Sequence, residues 1–393
     1  MTIAKVTQSS INRRSFLRVG SLAGAAAALA ACAPAAAPPS APAPAAAPPA
    51  AAPAKAAWEQ QWDDLVVAAK KEGQVAIITY PGSQFRKFLD TFEAAVPGVT
   101  VQHTAGNASA IVPKIIQERQ GGIYTYDVML ATVTTPFFNL KPAGAVEPVR
   151  PLIFRGDVID DKVWSGGFEA GFLDKDKRMM YAPTFDKNLG LWINTDQVPA
   201  NEMTTIKDLL NPKWKGKILS LDPRSVGVAW NVLDMKRTGG DEFVRKLYGE
   251  QAPVLVRDLR QATEFMVKGQ YAIGIGAPNA DAFLDFEAQG LGKNLKALEI
   301  DGGTFLLSTC NTYRIERGPD PNAAKLFINW LFTKEGQTNW AKLIGQNSRR
   351  IDGVPPGNPR YLPTPGKKYL TVENEAQLEE VNQIYALAKE VIK

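Results

Sequence analysis

Apolar residues along this chain fall into short blocks that alternate between helical spacing and compact runs. Trp58, Trp62, Leu65, Val66 and Ala69 line one helical face, and Gly73 stops it. Residues 75–79 then read as a short buried strand. Phe85, Phe88, Leu89 and Phe92 mark a second helix ended by Pro97-Gly98, and residues 99–102 form the next strand. Ile111, Ile115 and Ile116 mark a third helix, closed by Gly121-Gly122, ahead of a strand over residues 127–131. This βαβαβ order predicts a parallel sheet with helices on both faces.

A second alternating block begins later. Residues 217–221, 253–256 and 271–275 read as strands. Val226, Ala229, Trp230 and Leu233 form a helical face, residues 262–267 a helix stopped by Gly269, and residues 279–289 another. Two extended stretches, residues 181–194 and 297–309, are predicted to cross between the blocks. The C-terminal part reads as helix over residues 323–332 and 335–343, and along a stripe of Leu378, Val381, Ile384, Tyr385, Ala388 and Val391. A body running from Trp58 to Lys393 is too long for one compact core and suits two lobes.

Ahead of that body the sequence changes character. Asn12-Arg13-Arg14-Ser15-Phe16-Leu17-Arg18 resembles a twin-arginine export consensus, and the Ala-rich stretch after it is too short to span a membrane stably. Leu29-Ala30-Ala31-Cys32 resembles a lipobox, in which the Cys32 thiol takes the lipid. Residues 1–32 are therefore expected to be a twin-arginine lipoprotein signal. Residues 33–57 contain only Ala, Pro, Ser40 and Lys55, which predicts a disordered, extended tether. The expected location is outside the cytoplasm, lipid-anchored to the outer face of the cell membrane.

Charge fits this division. The chain is +5, and the five charged residues up to Ala57 are all basic, so residues 58–393 are neutral. The basic pI thus gives no argument for nucleic-acid binding. Cys310 is the one cysteine beyond Cys32, which excludes an intramolecular disulfide in the body. It lies beside an apolar run and is expected to be a buried, inert thiol.

Several stretches resemble one protein family. Residues 62–73 (WDDLVVAAKKEG) open like its first helix, and residues 115–119 leading to Tyr126-Asp127-Val128 like its helix before an Asp-Val strand. Leu191-Trp192-Ile193-Asn194-Thr195-Asp196 is similar to its crossing strand, and residues 208–217 (DLLNPKWKGK) are the most specific match. Trp330-Leu331 and Lys334-Glu335-Gly336-Gln337 resemble its return helices. The family is that of extracellular solute-binding proteins of ABC importers, in the branch including ferric-iron, polyamine and sugar-phosphate binders. The resemblance implies an α/β, two-lobed periplasmic-binding-protein type II fold. Each lobe would be a mostly parallel sheet flanked by helices, joined by two extended crossings. Lobe 1 would comprise residues 58–185 and 298–345, and lobe 2 residues 186–297 and 346–393. It further implies a monomer that captures a small solute by hinge closure and docks on a membrane permease, with no cofactor.

Strand ends supply the candidate contacts, because doubly wound sheets bind ligands at their carboxyl edges beside helix N-termini. In lobe 1 these are Tyr80, Ser83, Asn107, Ser109, Thr132 and Thr134. Lys187 and Asn188 lie in the first crossing, Arg224 and Ser225 follow a lobe-2 strand, and Asn279 follows another. Arg224 suits a carboxylate or phosphate through its planar fork. Arg349 and Arg350 follow the return helices, where a lobe-lobe or surface role is expected. Ferric-iron members commonly carry two adjacent tyrosines in the segment that here reads Gly276-Ala277-Pro278-Asn279-Ala280-Asp281. Their absence shifts the expectation from ferric iron to a small organic anion. His103 is the sole histidine, and there is no Gly-x-Ser-x-Gly elbow or metal-spaced His/Cys cluster, so an exported hydrolase is the weakest reading. A receptor for a sensor kinase would share the same fold and cleft.

Overall fold

The computed structural model describes residues 55–393, apart from 135, 200, 226–227, 279, 300–304, 309, 368 and 372–374. The twin-arginine motif, Cys32 and most of the Ala/Pro tether lie outside the described residues, as does Asn279.

The first amphipathic stretch forms α1 (Ala57–Glu72), which ends where Gly73 adopts φ 77° and returns its N–H to the Ala69 carbonyl. Lobe 1 is built on the sheet β2-β1-β3-β13-β4, comprising β1 (Gln74–Thr79), β2 (Thr100–Ala105), β3 (Val128–Ala131), β4 (Val146–Glu147) and β13 (Asn311–Ile315). β5 (Met180–Tyr181) also pairs with β13. β1 runs parallel to β2 and β3, whereas β13 is antiparallel to β3. α2 (Ser83–Ala95), α8 (Pro321–Leu331) and α9 (Lys334–Ile344) share one core with α1, in which Phe88, Phe92, Phe327, Trp330 and Trp340 interlock. α3 (Ala108–Gln120) contributes Val112 and Ile115 to another core, and α4 (Gly156–Ile159) is a single turn.

Lobe 2 carries the sheet β11-β7-β10-β8-β9, comprising β7 (Leu191–Asn194), β8 (Ile218–Leu221), β9 (Val254–Val256), β10 (Ile273–Ile275) and β11 (Leu295–Leu298). β8 is parallel to β9 and β10, and β7 is antiparallel to β10 and β11. Around it lie α5 (Trp230–Arg245), kinked at Gly240, α6 (Leu259–Val267) and α7 (Ala280–Ala288). The predicted C-terminal stripe forms α10 (Leu378–Val391), whose Val381, Ile384 and Ala388 are buried. Glu380 receives a fork from Arg237 of α5 at 2.7 and 2.8 Å. A small third sheet of β6 (Asp186–Lys187), β12 (Phe305–Leu307) and β14 (Leu370–Thr371), termed the hinge, lies along the chain between β5 of lobe 1 and β7 of lobe 2 at β6.

Two features differ from the sequence reading. Residues 181–194 cross between the lobes, but in three pieces rather than one continuous strand. They break into β5, β6 and β7, each in a different sheet, because Thr184 and Phe185 pair with the 347–348 segment between them. β13 was not foreseen, although all five of its residues are buried. Its Asn311 Nδ2 donates to the carbonyls of Ala131 and Ser308, and its Arg314 donates to Asp127. Arg349 and Arg350 are likewise core residues. Arg349 donates to the carbonyls of Ala182, Ser165 and Gly167, and Arg350 to the Phe332 carbonyl and Asp352. Cys310 is buried and outside any disulfide, with Gln346 Nε2 3.9 Å from its Sγ.

The Asp127 pocket holds a second acid. Asp320, before α8, is 7% exposed and gives its N–H to Asp127 at 2.9 Å. Burial, and then the Asp127 charge, push its carboxyl up to about 6. A carboxyl whose folded pKa is raised binds its proton more tightly in the native state, so wild-type stability falls as pH climbs from about 4 through 6. Asp320→Asn should raise the unfolding midpoint at pH 7.5 and leave it unchanged at pH 4. A pH-independent difference between the two proteins would contradict this account.

Candidate functional site

β1 and β3 are parallel and end together, so Tyr80 and Thr132 meet at one edge of lobe 1. The Thr132 N–H donates to the Tyr80 phenol oxygen at 3.2 Å, and the Tyr313 hydroxyl donates to the Thr132 carbonyl at 3.1 Å. These contacts fix the strand end from both sides. Thr134 is buried, and its Oγ1 accepts from Trp230 Nε1 at 3.1 Å. Trp230 starts α5, so this bond joins the two lobes directly. Ser83 and Asn107 are exposed at the starts of α2 and α3, and the Asn107 side chain makes no capping bond. Ser109 lies in the first turn of α3. His103, on edge strand β2, shares a 2.7 Å hydrogen bond with Thr79 Oγ1. Burial, then the Arg86 charge, hold its pKa below the ordinary value.

The facing edge belongs to lobe 2. β7 enters this sheet from the hinge and β11 leaves towards it, which turns the carboxyl ends of β8, β9 and β10 towards lobe 1. At the end of β10, Gly276 has φ 72° and its N–H reaches the Gly190 carbonyl. An added Cβ would lie 2.8 Å from the Asn231 amide, so this turn requires glycine. At the end of β8, Asp222 is 2% exposed and organises its surroundings. Its Oδ1 accepts from Arg224 N at 3.0 Å and Arg224 Nε at 2.9 Å, and its Oδ2 from Arg224 Nη2 at 2.9 Å and Arg257 Nε at 3.0 Å. Burial pushes this carboxyl up, but the arginine hydrogen bonds outweigh it and hold it down at about 2. Ser225 closes the turn through its N–H to the Asp222 carbonyl at 2.9 Å.

The crossing residues sit differently. Lys187 pairs with Glu299, which also takes Lys367 Nζ at 2.7 Å and the Tyr369 hydroxyl at 3.2 Å. The two lysines overcome burial and hold Glu299 at about 2. Lys187 therefore ties hinge segments together, and it lines a cavity of ≈ 270 Å³ with Trp192 and Arg360. Asn188 is half-buried beside Gly190. Structure thus gathers Tyr80, Thr132 and Thr134 on the lobe-1 edge and Arg224 and Ser225 on the lobe-2 edge, and assigns Lys187 to the hinge. Asp222 and Arg257, which are not among the sequence candidates, stand beside Arg224 at this edge. The available signal was positional, since each follows a strand directly, as Arg224 nearly does.

Residues 87–348 match the family described as bacterial extracellular solute-binding protein. The chain belongs to that family. A sulfate-binding protein of Synechococcus elongatus is 27% identical to this solute-binding protein over 158 residues. That alignment covers 36% of this chain and 42% of the relative, less than half of its length. The fold is similar to that of a Trichodesmium protein solved with iron and citrate, at a TM-score of 0.61 and 15% identity over 81% of this chain and 99% of that one. Ferric ion-binding protein A of Pasteurella haemolytica, in its apo form, gives 0.62 and 18%, covering 81% and 98%. At these identities the solved structures establish the periplasmic-binding-protein type II fold. Among the described residues no cluster of three His, Cys, Asp or Glu side chains is placed to hold a metal, and no helix is long and apolar enough to cross a membrane.

Proposed function

We propose that this solute-binding protein is the substrate-binding component of an ABC importer whose cargo is a small organic anion. The observation that carries the reading is Arg224. It lies at the end of β8, aligned by a buried carboxylate on the edge facing lobe 1. Tyr80, Ser83, Asn107, Ser109, Thr132 and Thr134 would supply polar contacts from the opposite edge, with Ser225, Asn188 and Asn279 from lobe 2 and the crossing. Closure about β6 and β12 would bury the anion between the lobes, with expected boundaries at 58–185 plus 298–345 and 186–297 plus 346–393, except that Ser348, Arg349 and Arg350 pack with lobe 1. The closed monomer would then present itself to a membrane permease. Residues 1–32 would direct export through the twin-arginine machinery, and lipid on Cys32 with the 33–57 tether would hold the body at the outer membrane face.

The test is a thermal-shift screen of the body across organic anions, sugars, polyamines and ferric citrate, with mass spectrometry of co-purifying small molecules. A ligand that binds only the native state at a hundred times its Kd adds about 2.7 kcal/mol of stability. Organic anions are expected to raise the midpoint without being turned over. Stabilisation by sugars or polyamines alone would overturn the anion assignment. A ferric cargo is the second reading, favoured by the ferric-ion-binding neighbour and by two phenols converging on Thr132. Its sign would be a visible phenolate–iron absorption band in the ferric arm.

A further inference from the structure

We infer that Arg257 is a specificity-determining residue of the cleft, and that with Arg224 it receives a tetrahedral oxyanion group, such as phosphate, phosphonate or sulfate. The inference rests on the anion reading above and narrows it. Arg257 directly follows β9, and β9 is the outer strand next to β8. The hinge connections run through β7 and β11 at the other end of the sheet. Arg257 therefore stands on the carboxyl edge at the end remote from the hinge, which is the mouth of the cleft.

Its geometry is that of a receiver rather than a surface ion pair. Arg257 spends one donor, Nε, on Asp222 Oδ2 at 3.0 Å. Nη1 and Nη2 have no partner among the described residues, and the side chain is 73% exposed. Arg224 holds the same Oδ2 through Nη2 at 2.9 Å, so the two guanidinium groups are neighbours fixed by one oxygen. Asp222 itself is rigid. It is buried and takes two further bonds from the Arg224 backbone N–H and Nε. The cluster carries two positive charges against one negative charge, leaving one positive charge to be matched. A carboxylate has two oxygens, which a single fork saturates. Arg224 Nη1 also donates to the Ile392 carbonyl at 3.4 Å, which leaves one hydrogen on each of its Nη atoms. These and the open Arg257 fork together call for an anion offering three or more acceptor oxygens. Lysine does not reproduce this, because its ammonium lacks the planar fork.

The experiment is isothermal titration of the wild-type body, Arg257→Gln and Arg257→Lys with inorganic phosphate, sodium sulfate, acetate and citrate at low ionic strength. Arg257→Gln changes an exposed side chain and leaves Asp222 its three bonds from Arg224, so its unfolding midpoint should stay close to wild type and report an intact fold. Wild type should bind phosphate or sulfate more tightly than acetate or citrate. Arg257→Gln should weaken that binding by at least about tenfold, with only partial recovery in Arg257→Lys. Wild-type affinity for phosphate and sulfate in Arg257→Gln would overturn the role of Arg257 and leave the anion reading intact. Binding of acetate or citrate but neither tetrahedral anion would overturn the oxyanion assignment alone. Binding of none of the four by wild type would overturn this inference, and the thermal-shift screen decides the broader reading independently.

Discussion

Asp127→Ala is expected to lower the unfolding free energy by about 3–5 kcal/mol, because it strands a buried cation. Asp127 is fully buried on β3's leading edge, and its carboxylate serves three donors. Ala76 N–H lies at 2.8 Å, Asp320 N–H at 2.9 Å and Arg314 Nη1 at 3.2 Å. Arg314 keeps its bonds to the carbonyls of Asp127 and Gly318 and an ion pair with Glu147 at 3.0 Å, but Glu147 is 39% exposed and screened by water. Burial pushes the Asp127 carboxyl above its ordinary range, against the pull of these donors. The pair is thus costly to assemble and more costly to break. Urea unfolding measures the loss. Pairing the change with Arg314→Met should recover part of it, since an apolar replacement leaves no unpaired charge. A loss below about 1 kcal/mol would mean that water or Glu147 replaces Asp127 fully.

Arg349→Met should cost about 3 kcal/mol, and the folded protein should bind its ligand as wild type does. The guanidinium is 7% exposed and satisfies the carbonyls of Ser165 at 2.8 Å, Gly167 at 2.9 Å and Ala182 at 3.3 Å. It lies 5.9 Å from the Trp164 and Tyr181 ring centroids. Burial lowers its pKa, so the charge is held by these acceptors rather than by a carboxylate. Methionine fills much of the volume and leaves three buried acceptors unpaired. Chemical denaturation and ligand titration on the same sample separate the two roles. Unchanged stability with lost binding would place Arg349 in the cleft instead of the core.

Asp222 and Glu299 give the hinge and cleft a common pH behaviour. Both carboxyls are held at about 2, well below their unfolded values. Their contributions are present above the ordinary carboxylate range and are lost as pH falls towards 2. The Asp320 contribution runs oppositely, between about 4 and 6. The body should therefore be most stable on the mildly acidic side of neutrality.

The sequence by itself determined the elements that pack by periodicity. α1, α2 and α3 have one apolar stripe each, and β1 and β3 are short apolar runs, so local pattern and burial agree. The order of those elements was enough to show two wound lobes, and it placed Tyr80, Thr132 and Arg224 at strand ends, where the structure has them. Tertiary structure alone decided what pattern could not carry. β13 reads as polar because Asn311, Thr312 and Arg314 find their partners far along the chain, Arg314 on Asp127 and Asn311 on Ala131. Lys187 is a candidate contact by position, and only the tertiary structure shows its ion pair with Glu299, more than a hundred residues away. Arg257 carries no local signal beyond its place after a strand, and only the fold sets it beside Arg224 through Asp222. Burying a charge is favourable only with a partner, and no local periodicity reveals where a distant partner will be.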